Sequence, residues 1–370
     1  MNVVRVILFP FAILYGVITG IRNLLFDLGI LPSRSFDHPL IGIGNLSTGG
    51  TGKTPHIEYL VKLLKPNYKV ATLSRGYKRK AKGFVLAGKK STIDDIGDEP
   101  MQIRTNHSDI AVAVCENRVM GIQHLLATKP ENQVILLDDV FQHRYVKPGL
   151  NILLTDYHNL FTDNYIVPTG DLRESRCNAN RADILIITKS PQIFSPLDKR
   201  LILGKVGKYN IKHIFFSYIK YGDWKPFNEK GEKCNYQKAK TIFLLTGIAN
   251  PIPLAEHLKR YCNELKTLRF SDHHQFSEKE LGAVVELYHS TFGASKAIVT
   301  SQKDSMRLRD PLLRKILADI PVYYIPIEVA FQPCDKQIFD SLIESYVKNF
   351  TSKKSKPSLD EKDKSNAKQL

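Results

Sequence analysis

The stretch Ser47-Thr48-Gly49-Gly50-Thr51-Gly52-Lys53-Thr54 has the residue types and spacing of a loop that grips phosphate. Glycines let backbone N–H groups close around an anion, and a following helix N-terminus adds its partial positive charge. Lys53 is placed to reach the terminal phosphates of a nucleotide, and the Thr54 hydroxyl to hold Mg²⁺. The strict pattern asks for glycine where Ser47 stands, so the loop reads as a variant. A plain glycine-rich turn with a chance Lys-Thr is the competing account. The flanks argue for phosphate binding: an apolar run at 39–44 precedes the loop, and Ile57, Leu60, Val61 and Leu64 follow at helical spacing.

Other residues offer complementary chemistry. Val134-Ile135-Leu136-Leu137-Asp138-Asp139 is an apolar strand ending in carboxylates, which beside a phosphate loop can hold Mg²⁺ or its water. In Gly97-Asp98-Glu99-Pro100, Asp98 either caps a helix with Pro100 in its first turn or serves as a base for an attacking hydroxyl. Asp272-His273-His274 follows a predicted strand. Adjacent histidines on extended chain point to opposite sides, which disfavours joint chelation and leaves one free to pair with a carboxylate. His143, in Phe141-Gln142-His143, is either a satisfied loop histidine or a substrate contact, and Arg173 offers a cation for phosphate or sugar. Thr188-Lys189-Ser190-Pro191 is similar to a guanine-reading loop but has Pro191 where that loop needs Asp, which argues against guanine selectivity.

These residues need a scaffold. Apolar runs at 69–73, 109–114, 133–137, 151–154 and 183–187 each end in polar residues, as strands of a parallel sheet buried on both faces do. Ligands then sit beyond the carboxyl ends. The expected fold is α/β: a P-loop NTPase-like, mostly parallel sheet with helices on both faces over 29–220, a linker at 221–240 and a smaller α/β domain over 241–330. A C-terminal helix at 331–350 and a disordered tail at 351–370 complete the chain. In the smaller domain, strands are expected at 241–245, 266–270, 297–300 and 322–327.

At the N-terminus, 1–28 reads as a membrane-associating helix. Its uncharged run, 6–21, is about 24 Å long as a helix, short of the roughly 30 Å hydrocarbon core, and Pro10 weakens it. An interfacial helix flanked by basic residues is favoured over a span, a signal peptide or a buried core helix. The 370-residue chain carries a formal net charge of +16, which favours anionic partners. Five scattered cysteines exclude a disulfide framework and a zinc ribbon. With no reading motif or aromatic stripe, nucleic acid is not expected.

Gly44-Asn45-Leu46 before the loop, Leu73-Ser74-Arg75-Gly76-Tyr77, Gly97-Asp98-Glu99-Pro100, Asp138-Asp139-Val140-Phe141-Gln142-His143, Leu172-Arg173-Glu174, Arg181-Ala182-Asp183, Asp272-His273-His274 and Lys303-Asp304 occur in this order. The set resembles the tetraacyldisaccharide 4′-kinase family, the lipid A kinases of Gram-negative bacteria, from the N-terminal helix to about Phe331. The resemblance implies a peripheral or monotopic enzyme at the cytoplasmic face of the inner membrane. Such an enzyme moves the ATP γ-phosphate to the 4′-hydroxyl of a lipid A disaccharide 1-phosphate, against an anionic membrane surface. It makes Asp98 the base and His273 its support, with Lys53 and Thr54 on phosphate and metal, and Asp138 and Asp139 at the acidic strand end. Arg75, Glu99, His143, Arg173 and Glu174 are expected near the acceptor. Val140 stands where the family usually has Gly, so the turn after Asp139 is expected to differ slightly. A P-loop ATPase switch acting on a protein partner is the rival reading.

Overall fold

The structure is a computed structural model that describes residues 3–234, 239–293 and 295–354. The tail expected to be disordered lies largely outside the described residues.

The phosphate loop sits where an all-buried strand meets a helix. Strand β1 (Leu40–Asn45) is buried at every position. It lies at the centre of a nine-stranded sheet with β2 (Val70–Ser74), β3 (Val85–Leu86), β4 (Ala111–Val114), β5 (Val134–Asp138), β6 (Leu150–Asp156), β7 (Ile184–Thr188), β8 (His213–Tyr221) and one late strand. From β8 through β7, β6, β1, β5 and β2 to β4 every pair is parallel. The inner strands β1, β2, β5 and β7 are buried at every position and rich in Val, Ile and Leu because helices cover both faces. Their carboxyl ends therefore fall on one edge, with Asn45, Ser74, Asp138, Asp156 and Thr188 at the strand ends.

The second sheet has five strands: β9 (Lys225–Pro226), β10 (Thr241–Thr246), β11 (Glu264–Arg269), β12 (Lys296–Ser301) and β13 (Val322–Ile325). Their order is β11-β10-β12-β13-β9, parallel except for β9. Segment 221–240, expected as a linker, thus supplies a strand to this sheet. The expected single strand at 322–327 is two. Pro326, which has no N–H to donate to a ladder, separates β13 from β14 (Ile327–Phe331). β14 crosses back and pairs antiparallel with β8 on the large sheet, with Val329 opposite Ile219. The C-terminal helix, Pro333–Lys354, follows it there. Its Phe339, Ile343 and Val347 are buried in one core with Ile41, Ile57 and Val61.

Helix α1 (Val3–Asp27) is longer than the uncharged run suggested, at 25 residues, or about 37 Å. Arg22 does not end it, because its last turns are held by the protein. Arg22 donates to Gln142 O at 2.9 Å, Arg144 pairs with Asp27 at 2.6 Å, and Phe26 packs edge-on to Tyr145. Pro10 lies inside the helix. Ile7, Phe11, Ile13, Leu14, Val17, Ile18 and Ile21 are all more than half exposed. Among the described residues this is the one helix long and apolar enough to cross a membrane by length and composition.

The placement of the last helix predicts that Ile343→Ala destabilises the large sheet. The expected cost is about 2–5 kcal/mol, read as a lower denaturation midpoint. An unchanged midpoint would mean that this helix is not part of the core.

Candidate active site

After Asn45 the chain enters the phosphate loop along a short extended stretch. Ser47 forms an antiparallel bridge with Leu172. Thr48 N–H donates to Asp171 O at 2.6 Å, and Arg173 N–H to Leu46 O at 2.8 Å. This pairing explains the missing glycine: an extended, bridged residue needs no access to left-handed backbone. The left-handed turns fall at Gly49 and Gly52, with φ of 104° and 87°. A Cβ at Gly49 or Gly50 would meet no atom within 4 Å, so that face of the loop is open.

Helix α2 (Lys53–Leu64) starts directly after the loop. Lys53 Nζ donates to Asn45 Oδ1 at 3.3 Å and lies 3.4 Å from Asp139 Oδ1. His56 braces the turn from below. Its Nδ1 is 2.7 Å from Gly52 O and its Nε2 3.0 Å from Ser217 Oγ. Burial lowers His56 to about 4, against which the Gly52 bond acts weakly, so it stays neutral and donates through Nδ1.

Asp138 and Asp139 end β5 in different environments. Asp139 has φ 49° and is held by Lys53 and by Arg173, whose NH1 is 3.2 Å from both its oxygens. Burial alone would raise Asp139, but these two cations hold it below the usual range. The residue with left-handed backbone is therefore Asp139. Val140 needs no glycine freedom and is buried against Gly42. Asp138 is buried, and its Oδ1 has no hydrogen-bond partner. Burial and then the charge of Glu99 push it well above the usual carboxylate range, with Lys53 opposing. An orphaned, crowded carboxylate oxygen within the field of Lys53 fits a divalent cation, which would relieve both penalties. Among the described residues no group of three His, Cys, Asp or Glu could hold a metal.

The second cluster forms where α4 (Asp98–Asn106), preceded by α3 (Ile93–Ile96), meets the small sheet. Gly97 caps α4 with φ 88°, and a Cβ there would sit 3.0 Å from Tyr77 O, so only glycine brings the chain this close. Asp98 Oδ2 accepts from His273 Nδ1 at 3.1 Å and from Arg307 Nε and NH2 at 3.0 and 2.5 Å. Burial favours a raised Asp98, but the His273 bond and the Arg307 charge outweigh it and hold the carboxyl far below its ordinary value. His273 has φ 58°, a backbone state that costs energy for a non-glycine residue and gathers at functional sites. The histidines do part company, but on a turn rather than a strand: His274 goes to Glu280 at 3.0 Å. Lys303 reaches Glu99 at 3.3 Å. The influence of Glu99 on Asp138 ties this cluster to the phosphate-loop cluster.

The remaining expected residues separate. His143 accepts from Arg118 N–H at 3.4 Å. Burial, then the charges of Arg118, Arg22 and Arg75, lower it to about 4, so it is a neutral ring among cations. It lines a cavity of about 560 Å³ with Pro32, Arg34, Asn117 and Tyr145, near the end of α1. Glu174, expected beside the acceptor, is only 2% exposed. Its carboxylate is taken by Asn23 at 3.0 Å, Gln142 at 2.9 Å and Arg181 at 2.7 Å, so it braces α1 against the site loops. Lys189 is occupied by Asp156 at 2.7 Å.

Sequence reasoning passed over three contributors. His56 and Arg307 look like ordinary helix residues. Arg118 opens α5 (Arg118–Thr128) and donates to the carbonyls of Asp138 and Asp139 at 3.1 and 3.4 Å. The one signal was an arginine directly after a strand-end polar run.

The family profile of tetraacyldisaccharide-1-P 4′-kinases matches residues 4–348. A tetraacyldisaccharide 4′-kinase of Bacteroides thetaiotaomicron is 46% identical over 93% of both chains. That of Flavobacterium johnsoniae is 48% identical over 94% of this chain and 98% of its own. The crystal structure of LpxK from Aquifex aeolicus in complex with ATP has a TM-score of 0.70 and 26% identity, and the match covers 93% of this chain and 99% of that one. With a match along nearly its whole length, the chain belongs to the tetraacyldisaccharide-1-P 4′-kinase family.

Proposed function

We infer that this chain is an ATP-dependent kinase that transfers the γ-phosphate to the 4′-hydroxyl of a tetraacyldisaccharide 1-phosphate. The product is a 1,4′-bisphosphorylated lipid A precursor. The family match along the chain supports the activity and disfavours a protein-directed ATPase switch. The observation that carries the mechanism is the asymmetry of Asp98. Three N–H groups converge on Oδ2, while Oδ1 accepts no hydrogen bond among the described residues.

In this reading Oδ1 of Asp98 receives the proton of the attacking hydroxyl. A carboxylate this well paired is a weak base, which suits a loose phosphoryl-transfer transition state where the proton leaves late. Positioning and charge neutralisation then supply most of the rate. Loop N–H groups and Lys53 hold the phosphates, and Asp139 and Asn45 fix the Lys53 ammonium. Thr54 and Asp138 would hold Mg²⁺, which when bound neutralises charge between the transferred phosphate and its leaving group. Asp139, already shared by Lys53 and Arg173, contributes through those cations. Arg173 and the exposed Arg75 offer positive charge toward the acceptor.

The exposed apolar face of α1 supports membrane association, with the helix lying in an anionic surface at the cytoplasmic side, where ATP is available. Its last turns dock beside the cavity lined by His143, so an acceptor whose acyl chains stay in the bilayer presents its sugars there.

Two outcomes test this reading. Asp98→Asn should lower turnover at least 100-fold, within the range of about 10²–10⁴ for a general base, while ATP affinity changes less than about twofold. Near-normal phosphorylation of the disaccharide acceptor by labelled ATP would reject Asp98 as the base. Deleting residues 1–21 should move the protein from the membrane pellet to the supernatant; a deletion variant that still sediments with membranes places the anchor elsewhere.

A further inference from the structure

We propose that Arg307 and Lys303, both carried by the helix after β12, are positioning residues that hold the Asp98–His273 pair in one arrangement. Asp98 Oδ1 points free toward the acceptor, and His273 is neutral with its proton on Nδ1. The inference rests on the reading of Asp98 as the base.

The geometry around Arg307 is specific. Its side chain is fully buried. NH1 donates backward, to Asp304 Oδ1 at 2.7 Å and Gly247 O at 3.2 Å. Asp304 is itself fixed, its Oδ2 accepting from Ser301 Oγ at 2.7 Å and Gly247 N–H at 3.1 Å. The guanidinium is thus locked to the carboxyl ends of β10 and β12, and only its Nε and NH2 edge faces α4. Arginine usually meets a carboxylate as a fork, one N–H to each oxygen. Here both N–H groups and His273 converge on Oδ2. A fork would consume Oδ1; this arrangement fixes the plane of the carboxylate and leaves Oδ1 to the cleft.

Lys303 decides the imidazole. Its Nζ lies 3.0 Å from His273 Nε2. An ammonium only donates, so Nε2 must be the bare acceptor and the ring proton must sit on Nδ1, facing Asp98. Asp272 Oδ2, at 4.0 Å from Nε2, is beyond hydrogen-bond reach. Arg307 NH2 lies 3.3 Å from Nδ1 because both nitrogens donate to the same Asp98 oxygen, at 2.5 and 3.1 Å; Glu99 shares Lys303, and the Tyr77 ring meets His273 edge-on. His273 therefore acts as a fixed donor to Asp98, oriented by the small-sheet portion of the chain.

The test is a pair of Arg307 variants assayed with ATP and the disaccharide acceptor across pH. Arg307→Lys keeps the charge but cannot place two N–H groups on one oxygen. It should lower kcat on the order of 10- to 100-fold, with KM for ATP within twofold and the acidic limb of the pH profile unmoved. Arg307→Gln removes the charge. Losing an opposite charge raises the carboxyl, so the acidic limb should move to higher pH by about one unit or more. Folded variants with normal kcat and pH profile would overturn the proposal, as would a loss of kcat in Arg307→Gln with no movement of the limb. If neither variant folds, ¹⁵N-histidine NMR of the unaltered protein decides, with His273 assigned by His273→Gln. A neutral ring protonated on Nδ1 supports the proposal, and an imidazolium or an Nε2–H ring overturns it. Asp98→Asn separates the layers: if it stays active, the base reading fails; if it is inactive while both Arg307 variants behave normally, the positioning inference alone fails.

Discussion

Four carboxylates stand at the ends of neighbouring elements, and the repulsion of Asp138 by Glu99 and Asp139 is the constraint the rest of the site answers. Asp98 and Glu99 open α4, while Asp138 and Asp139 end β5. Like charges at this distance stay ionised only if cations stand between them. Lys53 and Arg173 serve Asp139, Lys303 serves Glu99, and Arg307 serves Asp98. Asp138 keeps a buried oxygen with no hydrogen-bond partner and feels the charge of Lys53 at the end of the phosphate loop. The distribution gives four identical functional groups different environments: Asp98 is paired with Arg307 and His273, Asp138 is orphaned and buried, and Asp139 and Glu99 each hold a lysine.

The same distribution explains why two sheets are needed. The phosphate loop, the acidic strand end and α4 belong to the large sheet. His273, Lys303 and Arg307 belong to the small one, on the loop after β11 and the helix after β12. The Asp98–His273–Arg307 cluster is thus complete only when the two portions are packed, and α4 is the element at their junction. The chain returns to the large sheet through β14 and the C-terminal helix, which anchors the small sheet at both of its ends.

Helix α1 has two physically different halves. Its exposed residues form an apolar surface left uncovered by the described residues, while its last turns are tied down by Arg22, Asn23 and Asp27. Glu174 sits at the root of that attachment and also bonds Gln142, whose side chain reaches the carbonyl of Asn45 next to the phosphate loop. A surface held by α1 is thereby fixed in position relative to the nucleotide end of the site.

The amino-acid sequence by itself determined the local pieces. Runs of Val, Ile and Leu without alternation, bounded by polar residues, read as strands buried on both faces, and glycines at 49 and 52 before Lys53-Thr54, between a strand and a helix, read as an anion loop. Helix starts at Ser277 and at Asp98 were legible because caps and first-turn acids are set within a few residues. What only the tertiary structure decided depends on groups far apart in the chain. β8 was missed because its burial is uneven, and the break at Pro326 hid that two short strands join different sheets. Ser47 could look like a defect until Leu172 paired with it. Glu174 could look like a substrate contact until Asn23, Gln142 and Arg181 claimed it. Arg307 stands 209 residues from Asp98 and in sequence is one basic residue among many. Its meaning comes from burial and from the single oxygen it meets, and neither is a property of local sequence.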